Sequence, residues 1–375
     1  MATKRVKRYI DTNVLDEAKK RIHHVIDIFD SLSVNFSGGK DSLVVMHLVK
    51  EVYEERGITD PVNVLFYDEE VVPSTVIDFV DHYRQQDWVN MVWLAVPLRS
   101  EKYLLGETST YIQWDPTRKH VRPKPPWALT QADLGINENS VLVQSSIDTF
   151  VGTLYPGRVA VLNGIRASES PVRYQASVAK LVENYINAGA TRKTAFVKPI
   201  FDWEQNDVFR YFYDRGIRYC PVYDFQTFAR QGLRVSTPLH AENAKRFHKL
   251  REVDPVFYEQ VMEVFPEMAI QERYGNSLLS NDGKNALIEK YGQDWEGLFR
   301  LIAERFPDRS QAAKARVRVR RARKAAETKP HAYPPEHVAR QLLNGAIKRN
   351  IMPASRAEQR IIERRRAERA ERLAQ

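Results

Sequence analysis

Two spacings of apolar residues alternate through the first half of the chain. In 13–30, Val14, Leu15, Ala18, Ile22, Val25, Ile26 and Phe29 recur every three to four positions. That is the face of an amphipathic helix, with Thr12 or Asn13 placed to cap it. A short apolar run at 32–36 reads as a buried strand, and 43–55 returns to helical spacing. A second strand falls at 62–67, a helix at 74–86, and a third strand at 91–96. The strand pattern comes back at 159–163 and 195–199, with a helix over 203–215. Strand–helix–strand alternation at this spacing predicts crossover connections and a mostly parallel sheet.

The stretch 100–157 breaks the rhythm. It carries Trp114, Trp127 and a proline-rich segment at 122–126, and reads as an insertion or substrate-facing loop region. Beyond it, 240–305 is largely helical in pattern. Segments 309–328 and 355–373 are rich in Arg, Ala and Glu with thin apolar stripes. They are expected as exposed helices, or as helices that order on binding. The expected organisation is a nucleotide-binding domain over 1–239, a helical subdomain over 240–308 and a basic helical tail over 309–375.

Charge sharpens this division. The chain has 375 residues and a net charge of +9. Residues 309–375 hold 19 Lys+Arg against 6 Asp+Glu, whereas the rest of the chain is slightly acidic. A basic tail on an acidic body points to a polyanionic partner, nucleic acid first, through Arg316, Arg318, Arg320, Arg321, Arg323 and Lys324. No apolar run reaches the length of about 18 residues that a membrane helix needs. The basic N-terminus lacks the apolar stretch of a signal peptide, so the cytoplasm is the expected compartment. A single cysteine, Cys220, excludes an intramolecular disulfide and a four-cysteine metal or cluster site within this chain.

The most informative residues are Ser37, Gly38, Gly39, Lys40, Asp41 and Ser42, set between a predicted strand and a predicted helix. Two glycines let backbone approach an anion without a Cβ in the way. The unpaired N–H groups of a helix start, and its dipole, favour negative charge there. Lys40 adds a mobile cation, and Ser37 and Ser42 add hydroxyl donors. Asp41 is suited to capping or to holding Mg²⁺, a hard ion that prefers oxygen. The turn is not the Walker A pattern, which has different spacing. A second cluster, Gly164, Ile165, Arg166, Ala167, Ser168, Glu169 and Ser170 with Arg173, follows a strand's C-terminal end. There two arginines would neutralise phosphate or sulfate and Glu169 would orient one of them. Asp68, ending the second strand, is placed to accept from ribose hydroxyls, with Glu69 and Glu70 as alternatives.

The SGGKDS turn resembles the pyrophosphate-binding loop of the PP-loop ATP pyrophosphatase superfamily. The 164–173 cluster, with Lys198-Pro-Ile-Phe-Asp-Trp203 and 217–223, resembles the 3′-phosphoadenylyl sulfate (PAPS) reductase-like branch. The likeness covers about residues 30–225. It implies a Rossmann-like α/β sheet of the adenine nucleotide α-hydrolase type with a helical C-terminal extension, and binding of ATP with Mg²⁺. It implies attack of a substrate oxygen on the α-phosphorus with pyrophosphate leaving, in which Lys40, Asp41 and Arg166 would be catalytic. Members with such an extension resemble a bacterial and phage group that often accompanies a ParB-like protein, so a ParB-like partner is also implied.

The chain departs from the reductases in one respect. They need a nucleophilic cysteine near the C-terminus, and none follows Cys220. Cys220 lies in a segment expected to be structural, as does Trp203, with Asp202 expected to cap the next helix. The reading is therefore an ATP-cleaving adenylyltransferase that activates a substrate, nucleic acid or a nucleic-acid-bound partner among them. The alternatives are a sulfate adenylyltransferase-like enzyme with Arg166 and Arg173 on sulfate, a sulfonucleotide reductase, or a non-enzymatic ATP-dependent regulator.

Overall fold

The computed structural model describes residues 10–105, 107–137, 140–178, 183–189, 191–228, 234–278, 281–306, 308–346 and 350–374. It divides into two units, Met1–Arg273 and Tyr274–Gln375.

The first unit is built on a six-stranded sheet. Its strands are β1 (Ser31–Asn35), β2 (Val62–Tyr67) and β3 (Val89–Leu94), then, after an intervening pair, β6 (Val159–Asn163), β7 (Ile186–Ala188) and β8 (Thr194–Val197). The intervening pair, β4 (Leu98–Leu104) and β5 (Glu107–Gln113), forms a separate antiparallel hairpin. The sheet order is β3-β2-β1-β6-β8-β7, parallel throughout except for β7. Both faces of its central strands are covered, which is why 32–34 and 159–162 are continuous buried runs rather than alternating ones.

The helices around it obey their local chemistry. In α1 (Val14–Ile28), Asn13 caps the start by accepting the Asp16 N–H at 2.9 Å, and Ala18, Ile22 and Val25 are fully buried. The second helix, α2 (Lys40–Glu55), is buried along most of its length, and α3 (Ser74–Arg84) lies beyond β2. Next come α4 (Gln144–Leu154), α5 (Pro171–Val178), α6 (Gln205–Arg215) and α7 (Val222–Phe228). Trp203 packs as expected, 1% exposed, with its indole N–H on the Val14 carbonyl at 2.9 Å. Asp202 does not cap α6. It pairs with Arg21 at 2.6 Å, while Glu204 and Asp207 close the helix start reciprocally.

Short helices α8 (Ala241–Ala244), α9 (Leu250–Val253) and α10 (Pro255–Val264) follow, and α11 (Met268–Leu278) carries the unit boundary. Gln271, 2% exposed, accepts the Leu105 N–H at 2.7 Å and donates to the Ala244 carbonyl at 3.1 Å. It thereby ties the β4–β5 hairpin to this helical part.

The second unit holds α12 (Asn281–Tyr291), α13 (Trp295–Arg305), α14 (Arg309–Thr328), α15 (Pro335–Leu343) and α16 (Arg356–Ala374). The basic segment 309–328 is not a free arm. Ala312, Ala315, Val319 and Ala322 recur at helical spacing and are buried against Leu298, Leu301, Val338 and Leu342. Small residues let the α14 backbone approach its neighbours closely while its arginines project elsewhere. Among the described residues, no helix is long and apolar enough to cross a membrane.

Candidate functional site

Strand order reverses direction at β1: the chain builds outward through β2 and β3, then returns to add β6 and β8 on the other side. Loops leaving the C-terminal ends of β1 and β6 therefore diverge and leave a crevice, the usual ligand position in open parallel sheets. A cleft of about 520 Å³ lies there. Asn35 and Asn163, paired in register at the two strand ends, form part of its wall, with Asn35 Nδ2 donating to Asn163 Oδ1 at 3.0 Å.

The glycine turn lines one side of this cleft. Its serines hold it in shape: the Ser37 N–H donates to Ser42 Oγ at 3.2 Å, and Ser42 Oγ donates to the Gly39 carbonyl at 3.1 Å. Gly39 is the N-cap of α2, so the start of that helix lies at the cleft. Gly38 has φ +74°, where an L side chain is strained. A Cβ there would come within 2.8 Å of Val76, so Gly38 serves the packing of the turn on α3 and does not line the cleft. A Cβ on Gly164 would run into the Asp41 and Ser42 backbone, so only glycine lets the end of β6 abut the start of α2.

Charge is concentrated here. Lys40 is 3% exposed, with Nζ 2.8 Å from Asp41 Oδ2. Arg166, 4% exposed, donates Nε to Asp41 Oδ1 at 2.6 Å. Burial pushes the Lys40 ammonium below the ordinary lysine range, Asp41 works against this, and the charges of Arg166 and Arg234 add to it. Arg173 pairs with Glu169, which also accepts the Arg166 N–H at 3.1 Å.

The structure therefore brings Ser37, Gly39, Lys40, Asp41, Ser42, Gly164, Glu169 and Arg173 to one cleft. Arg166 does not line the cleft and pairs with Asp41. Asp68 does not reach the cleft: its carboxylate is buried against the Trp93 indole N–H at 2.9 Å, the Glu70 N–H at 3.0 Å and the Arg122 guanidinium. Glu70 is likewise buried, held by Arg118 at 2.6 Å and by the N–H groups of Trp114 and Val121. Glu69, between them, faces the cleft, and burial raises its carboxyl above the ordinary range. The six basic residues of 316–324 lie on α14 in the second unit.

Sequence reasoning missed Tyr223, Arg234 and His240 on the cleft wall. Tyr223 matters most. Its buried hydroxyl accepts the Lys40 backbone N–H at 2.8 Å, and its ring lies 5.4 Å from Lys40 Nζ. It had been read as part of a structural segment, and nothing local in 217–223 marks it, because its partner lies 183 positions away. Cys220, three residues earlier, is buried outside the cleft with its thiol pushed up to about 11 by burial.

A mostly parallel sheet carrying a glycine turn, a helix start and a cation cluster at its switch point places the chain among the open-sheet, Rossmann-like α/β proteins. The chain belongs to the phosphoadenosine phosphosulfate reductase domain family, whose profile matches residues 31–238. It is 27% identical over 233 residues to the uncharacterized protein YbdN of Escherichia coli (strain K12), a match covering 59% of this chain and 57% of that relative's length. Among solved structures it is similar to Candida glabrata FMN adenylyltransferase in complex with ATP. That match has TM-score 0.38 and 12% identity, and covers 59% of this chain and 63% of that one. It is also similar to phosphoadenylyl-sulfate reductase from Candida auris in a phosphate complex, with TM-score 0.34 and 15% identity, covering 62% of this chain and 100% of that one.

Proposed function

We propose that this chain cleaves ATP between the α- and β-phosphates and passes the adenylyl group to an acceptor. The observation that carries the reading is the cleft at the β1/β6 switch point, which the SGGKDS turn, with its Lys40, shares with Arg173 and Arg234. Attack on the α-phosphorus drives negative charge onto the departing pyrophosphate. Fixed cations and first-turn N–H groups are suited to holding that charge without reorganising. Tyr223 and Asp41 fix Lys40 at its backbone and its side chain respectively, so the ammonium is pre-positioned. Thiol-based reduction is the weaker reading, since Cys220 is the chain's one cysteine and lies buried away from the cleft.

Asp41 does not fit the role of magnesium ligand, because both of its oxygens are engaged by cations. Among the described residues, no group of three His, Cys, Asp or Glu side chains is placed to hold a metal ion. Mg²⁺ in this reading arrives on the nucleotide, largely hydrated, and no step is assigned to a protein-held ion. The reading further assigns a nucleic acid, or a nucleic-acid-bound partner such as a ParB-like protein, to the basic helices of the second unit, and the cytoplasm as the compartment.

The test is to incubate the full chain with α-labelled ATP and Mg²⁺, with and without sulfate or nucleic acid, and to follow AMP and pyrophosphate. Pyrophosphate release that is lost in Lys40→Ala is the expected result. ATP binding without α–β cleavage under every addition would sink the enzymatic reading in favour of a regulator.

A further inference from the structure

A second cavity, of about 390 Å³, adjoins the cleft within the first unit. The two share a wall, since Arg234, Val235 and Ser236 line both. Elsewhere the cavity is predominantly apolar, with Val222 and Phe225 from α7 on one side and Phe247 and Phe257 on the other. Phe225 is 47% exposed and Val256, also on its wall, 68% exposed. Apolar side chains that stay wet while gathered around one concavity mark a place that receives an apolar group. The volume lies within the range of small-molecule sites.

The charges on its wall have one sign left over. Asp254 is committed to capping α10, accepting the Phe257 N–H at 3.0 Å. Arg234, on the shared wall, and Arg246 have no carboxylate partner among the described residues. Arg234 is also close enough to the phosphate turn that its charge, after burial, helps depress the Lys40 ammonium. An occupant that matches this lining has an apolar body and an anionic head directed at the shared wall.

We propose that this cavity holds the acceptor of adenylyl transfer, and that the acceptor is a carboxylic acid with an aliphatic or aromatic body. The proposal rests on the ATP-cleaving reading of the neighbouring cleft. In the step, a carboxylate oxygen forms a bond to the α-phosphorus. The bond from that phosphorus to the α–β bridging oxygen breaks, and its electron pair leaves with pyrophosphate. The product is an acyl adenylate. The carboxylate is already ionised at neutral pH, so no proton has to be removed from it. An alcohol or amine of the same shape would fill the cavity but bring no negative charge to Arg234 and Arg246.

The experiment measures exchange of labelled pyrophosphate into ATP by the full chain with Mg²⁺. Octanoate and phenylbutyrate are compared with octanol and octylamine. Nucleotide binding is measured separately by equilibrium dialysis, and cavity binding by displacement of anilinonaphthalenesulfonate, which itself joins an apolar body to an anion. At least one acid is expected to raise exchange about tenfold over the alcohol and the amine, and hydroxylamine should trap its acyl group as the hydroxamate. Phe225→Asp and Arg246→Glu each alter an exposed side chain outside the phosphate cleft. Both should raise the half-saturating acid concentration by about tenfold with ATP binding unchanged, and Arg246→Lys should restore most of it. The proposal is overturned if ATP binds normally while the acids displace no probe, or stimulate no more than octanol and octylamine. It is equally overturned if both variants respond to acid as the parent does. Acid binding in a protein that fails to bind ATP would instead sink the reading of the cleft, and the transfer step with it.

Discussion

Tyr223→Phe isolates one hydrogen bond at the centre of the site. The substitution keeps the ring, so its packing at 6.2 Å from Tyr219 and its place over the Lys40 ammonium are retained. What is lost is the acceptor of the Lys40 backbone N–H, in a place where both partners are buried. A buried donor left without a partner costs about 1–3 kcal/mol. At about 2 kcal/mol, a unit of this size should melt roughly 4–8 °C lower. Differential scanning fluorimetry without nucleotide measures the gap directly, and saturating ATP should narrow it, because a phosphate oxygen can take the freed N–H. A variant that melts within about 1 °C of the parent without nucleotide would refute the assignment of this bond as a stabilising element.

Glu69→Gln tests the raised carboxyl of the cleft. Between its ordinary value and its raised one, the folded state keeps a proton that the unfolded state has released, so stability falls as pH rises through that window. The amide should therefore be the more stable form at neutral pH, with the difference fading under acid in urea titrations. His47 works in the opposite direction. Burial holds its imidazole down at about 4, so stability falls as pH drops from 6.5 toward that value, by up to roughly 3 kcal/mol. His47→Gln should flatten the acid limb of the stability curve, and an unchanged limb would count against the shift. If the second unit binds nucleic acid, replacing the exposed Arg316, Arg320, Arg321 and Lys324 by Gln should reduce the slope of log affinity against log salt. The reduction is about 0.9 per lost phosphate contact, read by fluorescence anisotropy on a labelled duplex. Binding that does not depend on salt in the parent would dismiss that interface.

Much of the sheet was legible because its signals are local. Strands β2 and β6 fall at the residues predicted, since a continuous apolar run between turn signals is what a strand buried on both faces requires. The glycine turn was legible for the same reason: its six residues are adjacent in the sequence. Long-range pairings were not. Asp68 ends a strand at the expected place, yet Arg122 and Trp93 claim its carboxylate, and nothing in 66–70 announces either partner. Tyr223 and Arg234 enter the cleft from a distant stretch of chain. The hairpin of β4 and β5 falls in the stretch that lacks a strong apolar signal, because polar residues interrupt its strands: Glu101, Lys102, Ser109 and Thr110 sit at its centre. In α14 the arginines dominated the reading, whereas three alanines and a valine decide its packing.

Three carboxylates in succession, Asp68, Glu69 and Glu70, follow β2, and the outer two are neutralised by Arg122 and Arg118, four positions apart in one stretch of chain. Segment 114–122 thus behaves as a counterion delivered by the polypeptide itself. A protein engineer who trimmed it as a dispensable excursion would leave two buried anions without compensation, an error more costly than the loss of any single apolar contact. The same coupling constrains descent: the acids and the arginines can be exchanged or lost together, but an intermediate carrying one set without the other would struggle to fold.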